Sequence, residues 1–238
     1  MIKSVFWYLN FIISLILQTG NLKKSKRILK EQGEQAFEDF VFEKTTSWAK
    51  KQVDNSGAKI KVHNVERIPQ DRNVLFVSNH QSDFDIAVFM ALIPKRTGFV
   101  AKSEMEKVPL LSEWMRNINC VFMDRKDMKK SLETILAGIK LLKEGKSLVV
   151  FPEGTRSRCD EVGEFKQGSF KLATKSNVPI VPVTIDGTYK IMEGNNYIIK
   201  PAEVNVYIHE PIFMESLDKE GKAMLPQTVK DIIVNGKA

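Results

Sequence analysis

The sequence is sparing in the residues that mark several common chemistries. Its 238 residues hold two cysteines, Cys120 and Cys159, and three histidines. Two cysteines without a C-x-x-C pair exclude a disulfide framework and a cysteine-based metal site, and a reduced compartment is the simpler setting. Cys159 lies between Arg158 and Asp160 with no histidine beside it, so it is not read as a nucleophile. No G-x-x-x-x-G-K-[ST] loop and no G-x-G-x-x-G fingerprint occurs, which excludes the two commonest nucleotide-binding signatures. No segment repeats and none is of low complexity. No apolar run reaches the roughly 18 residues of a clean membrane span.

What is present is charge. Lys and Arg number 36 against 29 Asp and Glu, a formal net charge of +7. A basic chain of ordinary hydrophobic content suits an anionic partner: nucleic acid, a lipid surface or a phosphorylated substrate. No nucleic-acid recognition motif accompanies it. The length accommodates one α/β domain with a sizeable core.

Ser4 to Leu22 carry no charge, and residues 5–17 are almost wholly apolar. As a helix those residues cover about 20 Å, short of a hydrocarbon core of about 30 Å. Trp7 and Tyr8 favour the membrane interface. A retained membrane-dipping anchor is the reading adopted; a signal peptide and a core helix are its rivals, although Gln18, Thr19 and Gly20 make a poor cleavage site. Lys23, Lys24, Lys26, Arg27 and Lys30 follow directly, and residues 35–51 have Phe37, Phe40, Val41 and Trp48 at partly helical spacing. A basic cluster beside an amphipathic helix suits anionic lipid. Residues 1–54 are therefore expected to form a helical membrane-anchoring module, and 55–238 an α/β domain, with the turn signal Asp54, Asn55, Ser56 and Gly57 between them.

Within the second part, residues 58–65 alternate as an edge strand, and 74–77, 98–101, 121–123 and 148–151 are short buried strands. Residues 129–144 place Leu132, Ile135, Leu136, Ile139 and Leu142 on one helical face, ended by Gly145. Residues 178–185 read as a strand whose Pro179 and Pro182 require a strand start, a bulge or an edge. Strands alternating with helices predict a mixed, largely parallel sheet flanked by helices.

Two strand ends carry the chemistry. After 74–77 come His80 and Asp85, in a turn before the helical run 86–92. A carboxylate folded onto an imidazole makes an oriented general base; the same residues also fit a helix-capping turn. After 148–151 come Glu153, Gly154, Thr155, Arg156 and Arg158. Glycine lets backbone approach a ligand, and arginine grips phosphate with a planar fork. This reads as a phosphate-binding loop, or else as a solvated turn. Lys166 adds a further cation downstream.

Taken together, Asn79-His80-x4-Asp85, then Lys102 through Pro109 to Phe122-Met123-Asp124-Arg125, then residues 151–157 (F-P-E-G-T-R-S), then residues 178–183 (V-P-I-V-P-V) resemble the glycerolipid acyltransferases. Within that family the likeness is to the 1-acyl-sn-glycerol-3-phosphate acyltransferases, and it spans Ile60 to Pro211. The resemblance implies transfer of an acyl group from acyl carrier protein or coenzyme A to the sn-2 hydroxyl of a lysophosphatidate, giving phosphatidate, with no cofactor and no metal. It implies His80 as general base, Asp85 as its orienting acid, and Glu153, Gly154, Thr155 and Arg156 as acceptor-binding, Arg156 foremost for the phosphate. Lys102 and Arg125 are further phosphate contacts. It also implies a bilayer surface as the working site, on the cytoplasmic side. Other acceptors (glycerol 3-phosphate, another lysolipid) and a catalytically silent membrane-binding protein are the alternatives. Ser112, Asn119-Cys120 and Asp83 depart from the family pattern, the first two where glycine and the third where an aromatic is common. His63 and His209 match no motif.

Overall fold

The apolar residues 74–77 become the central strand of the molecule because both of their faces are covered. In the computed structural model, which describes residues 2–237, Phe76 points into one hydrophobic core and Leu75 and Val77 into the other. A strand buried on both sides reads as a continuous apolar run, as parallel strands do. Among the described residues the strands are β1 (Lys59–His63), β2 (Leu75–Ser78), β3 (Thr97–Lys102), β4 (Val121–Met123), β5 (Ser147–Val150), β6 (Ile180–Asp186) and β7 (Glu203–Ile208). They form one sheet in the order β1-β7-β6-β2-β5-β3-β4, every pair parallel except β6 with β7. The carboxyl ends of β5, β2 and β6 therefore lie side by side, which is where ligands meet open parallel sheets.

Helices α1 (Ile2–Leu17), α2 (Thr19–Gln32), α3 (Glu34–Ser56), α4 (Phe84–Leu92), α5 (Leu111–Asn117), α6 (Met128–Lys143), α7 (Gln167–Ser176) and α8 (Lys219–Asn235) complete the chain. Trp7 of α1, Val53 of α3 and Val88 and Phe89 of α4 fill the core on one face of the sheet. Leu142 of α6, Leu172 of α7 and Val229 of α8 fill the other. Losing one such large side chain costs about 3–5 kcal/mol.

The helix expected over 35–51 runs on to Ser56, where Gly57 ends it in a left-handed conformation at φ 77°. Helix α1 is fastened both to α3 and to the domain that follows. Lys3 Nζ donates to Ser56 O (2.8 Å), Trp7 Nε1 to Gln52 O (3.0 Å), and Tyr8 Oη to Tyr197 O (2.9 Å). Ile199 N donates to Ser4 Oγ at 3.0 Å. The other face of α1, with Ile2, Val5, Phe6, Leu9, Ile12, Ile13, Ile16 and Leu17, is exposed. Helical residues Ile2–Gln32 are long and apolar enough to cross a membrane by length and composition.

The face of α6 overlaps the one the spacing suggests, with Ile135, Ile139 and Leu142 packed on the core, but is turned toward Thr134 and Gly138. Its buried residues are Thr134, Gly138 and Leu142, whereas Leu132 and Leu136 are exposed. Gly138 sets this rotation: a Cβ there would lie 2.7 Å from Leu172 Cδ2, so α7 packs where the side chain is missing. Pro182 sits in an interior strand, at a step in register. Val183 faces Ile208 while Ile180 faces Ile212, which leaves β7 and its continuation one residue longer than β6 between those points. That is a bulge, where proline's missing N–H is tolerated.

Candidate active site

The turn after β2 is stapled to both neighbouring strands before any of its side chains reaches the surface. Asn79 exchanges two hydrogen bonds with the main chain of Ile185, both 2.8 Å. Ser157 N donates to His80 O at 2.8 Å, and His80 N donates to Glu153 Oε1 at 2.7 Å. Within this frame the first turn of α4 brings Asp85 under the imidazole. His80 Nδ1 and Asp85 Oδ2 are 2.7 Å apart. The same oxygen accepts from the amides of Gln81 (2.7 Å) and Ser82 (3.0 Å), and Oδ1 accepts from Thr188 Oγ1 at 2.5 Å. Asp85 is wholly buried, so it is tolerated as an anion only because these donors surround it.

An ionised carboxylate only accepts, so it holds the imidazole proton on Nδ1 and turns the Nε2 lone pair outward. The ring stacks on Phe151, with centroids 4.1 Å apart and planes at 16°, and its side chain remains 14% exposed. The arrangement is a fixed base with one open nitrogen. The amides from His80 to Asp85 are all engaged within the protein, by Glu153, Asp85, Glu193, Ser82 Oγ and Ser82 O. An oxyanion formed beside His80 must find its donors elsewhere.

The phosphate-binding residues expected from the sequence separate into four groups. Glu153 faces inward. Besides His80 N, its carboxylate accepts from Gly163 N at 2.9 Å, so it ties two loops together. Burial pushes its carboxyl above the usual range, against the pull of those two amides. Gly154, at φ 75°, faces two cations. Lys166 Nζ lies 2.9 Å and Arg125 Nη1 3.6 Å from where a Cβ on Gly154 would stand. Removal from water pushes the Arg125 guanidinium down, opposed by Glu104. Among the described residues neither cation has a carboxylate within ion-pair distance. Thr155 is exposed on the same loop.

Arg156 turns the other way. Its Nη1 bonds Glu193 Oε1 at 3.0 Å and also Asp83. Glu193, its side chain fully buried, accepts in addition from Ser82 Oγ (2.5 Å) and Asp83 N (2.8 Å). Lys102, at the end of β3, is exposed and pairs with Glu104 at 3.1 Å. Asp83, which departs from the family pattern, is thus one of the partners of Arg156. Sequence reasoning did not single out Thr188 and Glu193, and nothing in their local residues marks them.

The remaining histidines are structural. His63 stacks on Tyr207 of the adjacent strand. His209 bonds Thr184 Oγ1 at 2.8 Å, and burial, helped by Arg67, pushes its imidazole down. Burial pushes the Cys120 thiol up to about 12. A groove of about 730 Å³ lies at the other ends of the strands, lined by Glu38, Arg96, Gly98 and Lys146. Its charges answer each other, Arg96 with Glu38 and Lys146 with Glu34, and it does not reach His80.

The sequence profile of the family described as Acyltransferase matches residues 59–186. The chloroplastic 1-acyl-sn-glycerol-3-phosphate acyltransferase LPAT1 of Arabidopsis thaliana is 36% identical over 162 residues, 67% of this chain and 45% of that protein. The 1-acyl-sn-glycerol-3-phosphate acyltransferase of Borreliella burgdorferi is 29% identical over 179 residues, 75% of this chain and 72% of that protein. The chain spans about half the length of several of the curated relatives it matches. The crystal structure of the 1-acyl-sn-glycerophosphate acyltransferase PlsC of Thermotoga maritima has a TM-score of 0.86 at 27% identity, covering 99% of this chain and 93% of that one. The profile covers more than half of the sequence, from β1 through β6 with His80, Asp85 and residues 151–157 inside it, and the chain belongs to the acyltransferase family.

Proposed function

We propose that this protein transfers an acyl group from an acyl thioester to the sn-2 hydroxyl of 1-acyl-sn-glycerol-3-phosphate, forming phosphatidic acid. The observation that carries the reading is the 2.7 Å contact of His80 Nδ1 with a buried Asp85, near Gly154, which Lys166 and Arg125 approach. His80 Nε2 removes the hydroxyl proton as the oxygen attacks the thioester carbon. The tetrahedral intermediate then expels the thiolate, and the proton on Nε2 passes to the sulfur. Asp85 stabilises the imidazolium between these transfers, a role worth about 10²- to 10⁴-fold in rate for a positioned base. The acceptor attacks directly, so no acyl-enzyme is formed. The thioester is carried by acyl carrier protein or by coenzyme A, and no cofactor is required.

Both lipids meet the protein at a bilayer. Helix α1 packs along the body through Trp7 while its opposite, apolar face is exposed, which supports a helix lying in the cytoplasmic leaflet and not crossing it. Lys23, Lys24, Lys26, Arg27 and Lys30 are exposed on α2, and each adds about 1 kcal/mol of attraction to anionic headgroups. The test is mass spectrometry of the products made by the purified full chain from a mixed lysolipid pool with both donors supplied. Phosphatidate is expected to dominate, and His80→Ala to lower its rate about 10²- to 10⁴-fold. Undiminished activity in His80→Ala, or acylation confined to acceptors without a phosphomonoester, would sink the reading.

A further inference from the structure

We infer that the outward face of α6 docks the protein that carries the acyl thioester, and that this partner presents an acidic surface to it. The inference rests on the proposed acyl transfer and names the form in which its donor arrives.

Helix α6 breaks two local rules on its outward side. Met128, Leu132 and Leu136 stand four residues apart and so form one stripe, and they are 88%, 54% and 56% exposed. On the inner side Thr134 Oγ1 donates to Phe122 O at 2.9 Å, which ties the helix to β4 and holds the stripe outward. Beside the stripe Lys129, Lys140 and Lys143 are exposed. Lys129 lies in the first helical turn, where the helix dipole disfavours a cation. Exposed methionine and leucine and a lysine at that end add nothing to the stability of α6, and such departures gather at functional surfaces. Lys140 pairs with Glu144 at 3.8 Å, whereas Lys129 and Lys143 have no carboxylate partner among the described residues. The neighbouring α7, packed against Gly138, carries Lys171 and Lys175 and no acid. An apolar stripe among free ammonium groups is complementary to a protein face whose carboxylates surround an apolar patch.

The first turn of α6 lies at the active-site end of the sheet. β4 and β5 both run parallel to β3, so α6 between them returns antiparallel and begins at their carboxyl ends. Leu132 and Leu136 follow about 6 and 12 Å further along the axis. β4 is three strand spacings from β2, about 14 Å. A flexible arm bearing a thioester spans that distance while its protein stays on α6. A bilayer does not fit the same stripe. On the reading above it rests on the exposed face of α1, which packs on the core at one face of the sheet, and α6 packs on the core at the other. A flat surface resting on α1 cannot also lie along α6. The lipid acceptor thus enters from one side and a water-borne donor from the other.

The test compares two donors with the same acyl chain, one on acyl carrier protein and one on coenzyme A. The purified full chain is used in detergent with lysophosphatidate as acceptor. Leu132→Ser is expected to raise KM for the carrier-protein donor about tenfold, as loss of one central interface contact does. It should leave kcat, and KM for the coenzyme A donor, within about twofold. Added salt should raise KM for the carrier-protein donor in wild type, and less so in the double variant Lys129→Gln with Lys143→Gln. Titration with unacylated carrier protein should show binding that Leu132→Ser weakens about tenfold. Equal losses with both donors, or no binding of carrier protein by wild type, would overturn the inference. So would loss of flotation of Leu132→Ser with vesicles of phosphatidylcholine and phosphatidylglycerol, which gives the stripe to the bilayer. A change of particle mass in light scattering would overturn it too, in favour of a second copy of the chain. A wild type that acylates lysophosphatidate from coenzyme A alone overturns the surface and leaves the proposed function standing. One that acylates it from neither donor sinks the function, and the titration alone then decides the surface.

Discussion

The two flanks of His80 are built on opposite principles. Toward α4 and β6 every charge is answered: Asp85 by His80, two amides and Thr188, and Glu193 by Ser82, Asp83 and Arg156. Toward β4 and α7, Arg125 and Lys166 lie around Gly154 with no carboxylate of the described residues in ion-pair contact. Physical cost explains which flank is which. A buried carboxylate without partners is expensive, so the acids sit where donors are dense. Lys166 is exposed and stays solvated while it waits for an anion, whereas Arg125 gives up part of its hydration to stand there. On the proposed acyl transfer, the flank that must hold still during proton transfer is the saturated one, and the flank left unsaturated is the one open to a substrate's charge. Fixed dipoles of the first kind are what make an active site catalytic without reorganisation.

The sharpest way to break the saturated flank is Asp85→Asn. The amide side chain cannot accept from His80, two backbone N–H groups and a hydroxyl at once, and its NH₂ would face donors. The expected results are a fall in kcat of about 10²- to 10⁴-fold and a loss of about 3–5 kcal/mol, typical of breaking a buried charge network. Single-turnover acyl transfer and denaturant unfolding measure the two. Near-normal values of both would mean that the carboxylate is incidental. Thr188→Val is the milder version. It removes one donor to Asp85 Oδ1 and should cost about 1.5–3 kcal/mol, the range for a hydrogen bond to a charged group. A variant as stable as wild type would show that the other three donors suffice.

Much of the saturated flank was readable in the sequence, and part of it was not. His80 and Asp85 announce themselves because a strand-to-helix turn brings residues five apart together, and residues 151–157 because glycine and arginine cluster after a buried strand. Thr188 and Glu193 reach the site from 103 and 111 residues away in sequence. Neither belongs to a periodic pattern, and a glutamate before Gly194, Asn195 and Asn196 looks like an ordinary turn. Only the parallel pairing of β2 with β6 places that turn beside His80. The same limit explains α6, where Ile135, Ile139 and Leu142 pack as their spacing predicts but Gly138 turns Leu132 and Leu136 out to solvent. It also holds for the neighbours of Arg156: the loop composition shows the arginine, and only the fold shows Asp83 and Glu193 beside it.

Glu153 tests the saturated flank through pH. Burial raises its carboxyl above its ordinary value of 4.5. A group raised in the folded state contributes stability that is present in full below the unfolded value and is lost as pH rises through the folded one. Glu153→Gln has no such titration. The wild-type advantage over Glu153→Gln in urea midpoint should therefore shrink as pH is raised from about 4 toward neutrality. An advantage that grows over the same range would mean that the two amides on the carboxylate outweigh its burial.

Lys102 marks the outer edge of the open flank and should show the smallest effect. Its side chain is 61% exposed and its partner Glu104 is 54% exposed. A pair in that setting is worth at most about 1 kcal/mol because solvent screens it and two flexible side chains must be ordered. Lys102→Ala is thus expected to leave the unfolding midpoint nearly unchanged. It should also raise KM for lysophosphatidate less than Lys166→Met does, since Lys102 spends its charge on a neighbouring acid while Lys166 keeps its own free. A KM effect of Lys102→Ala equal to that of Lys166→Met would mean that the end of β3 contacts the acceptor as closely as Lys166 does, despite the exposure of Lys102 and its pairing with Glu104.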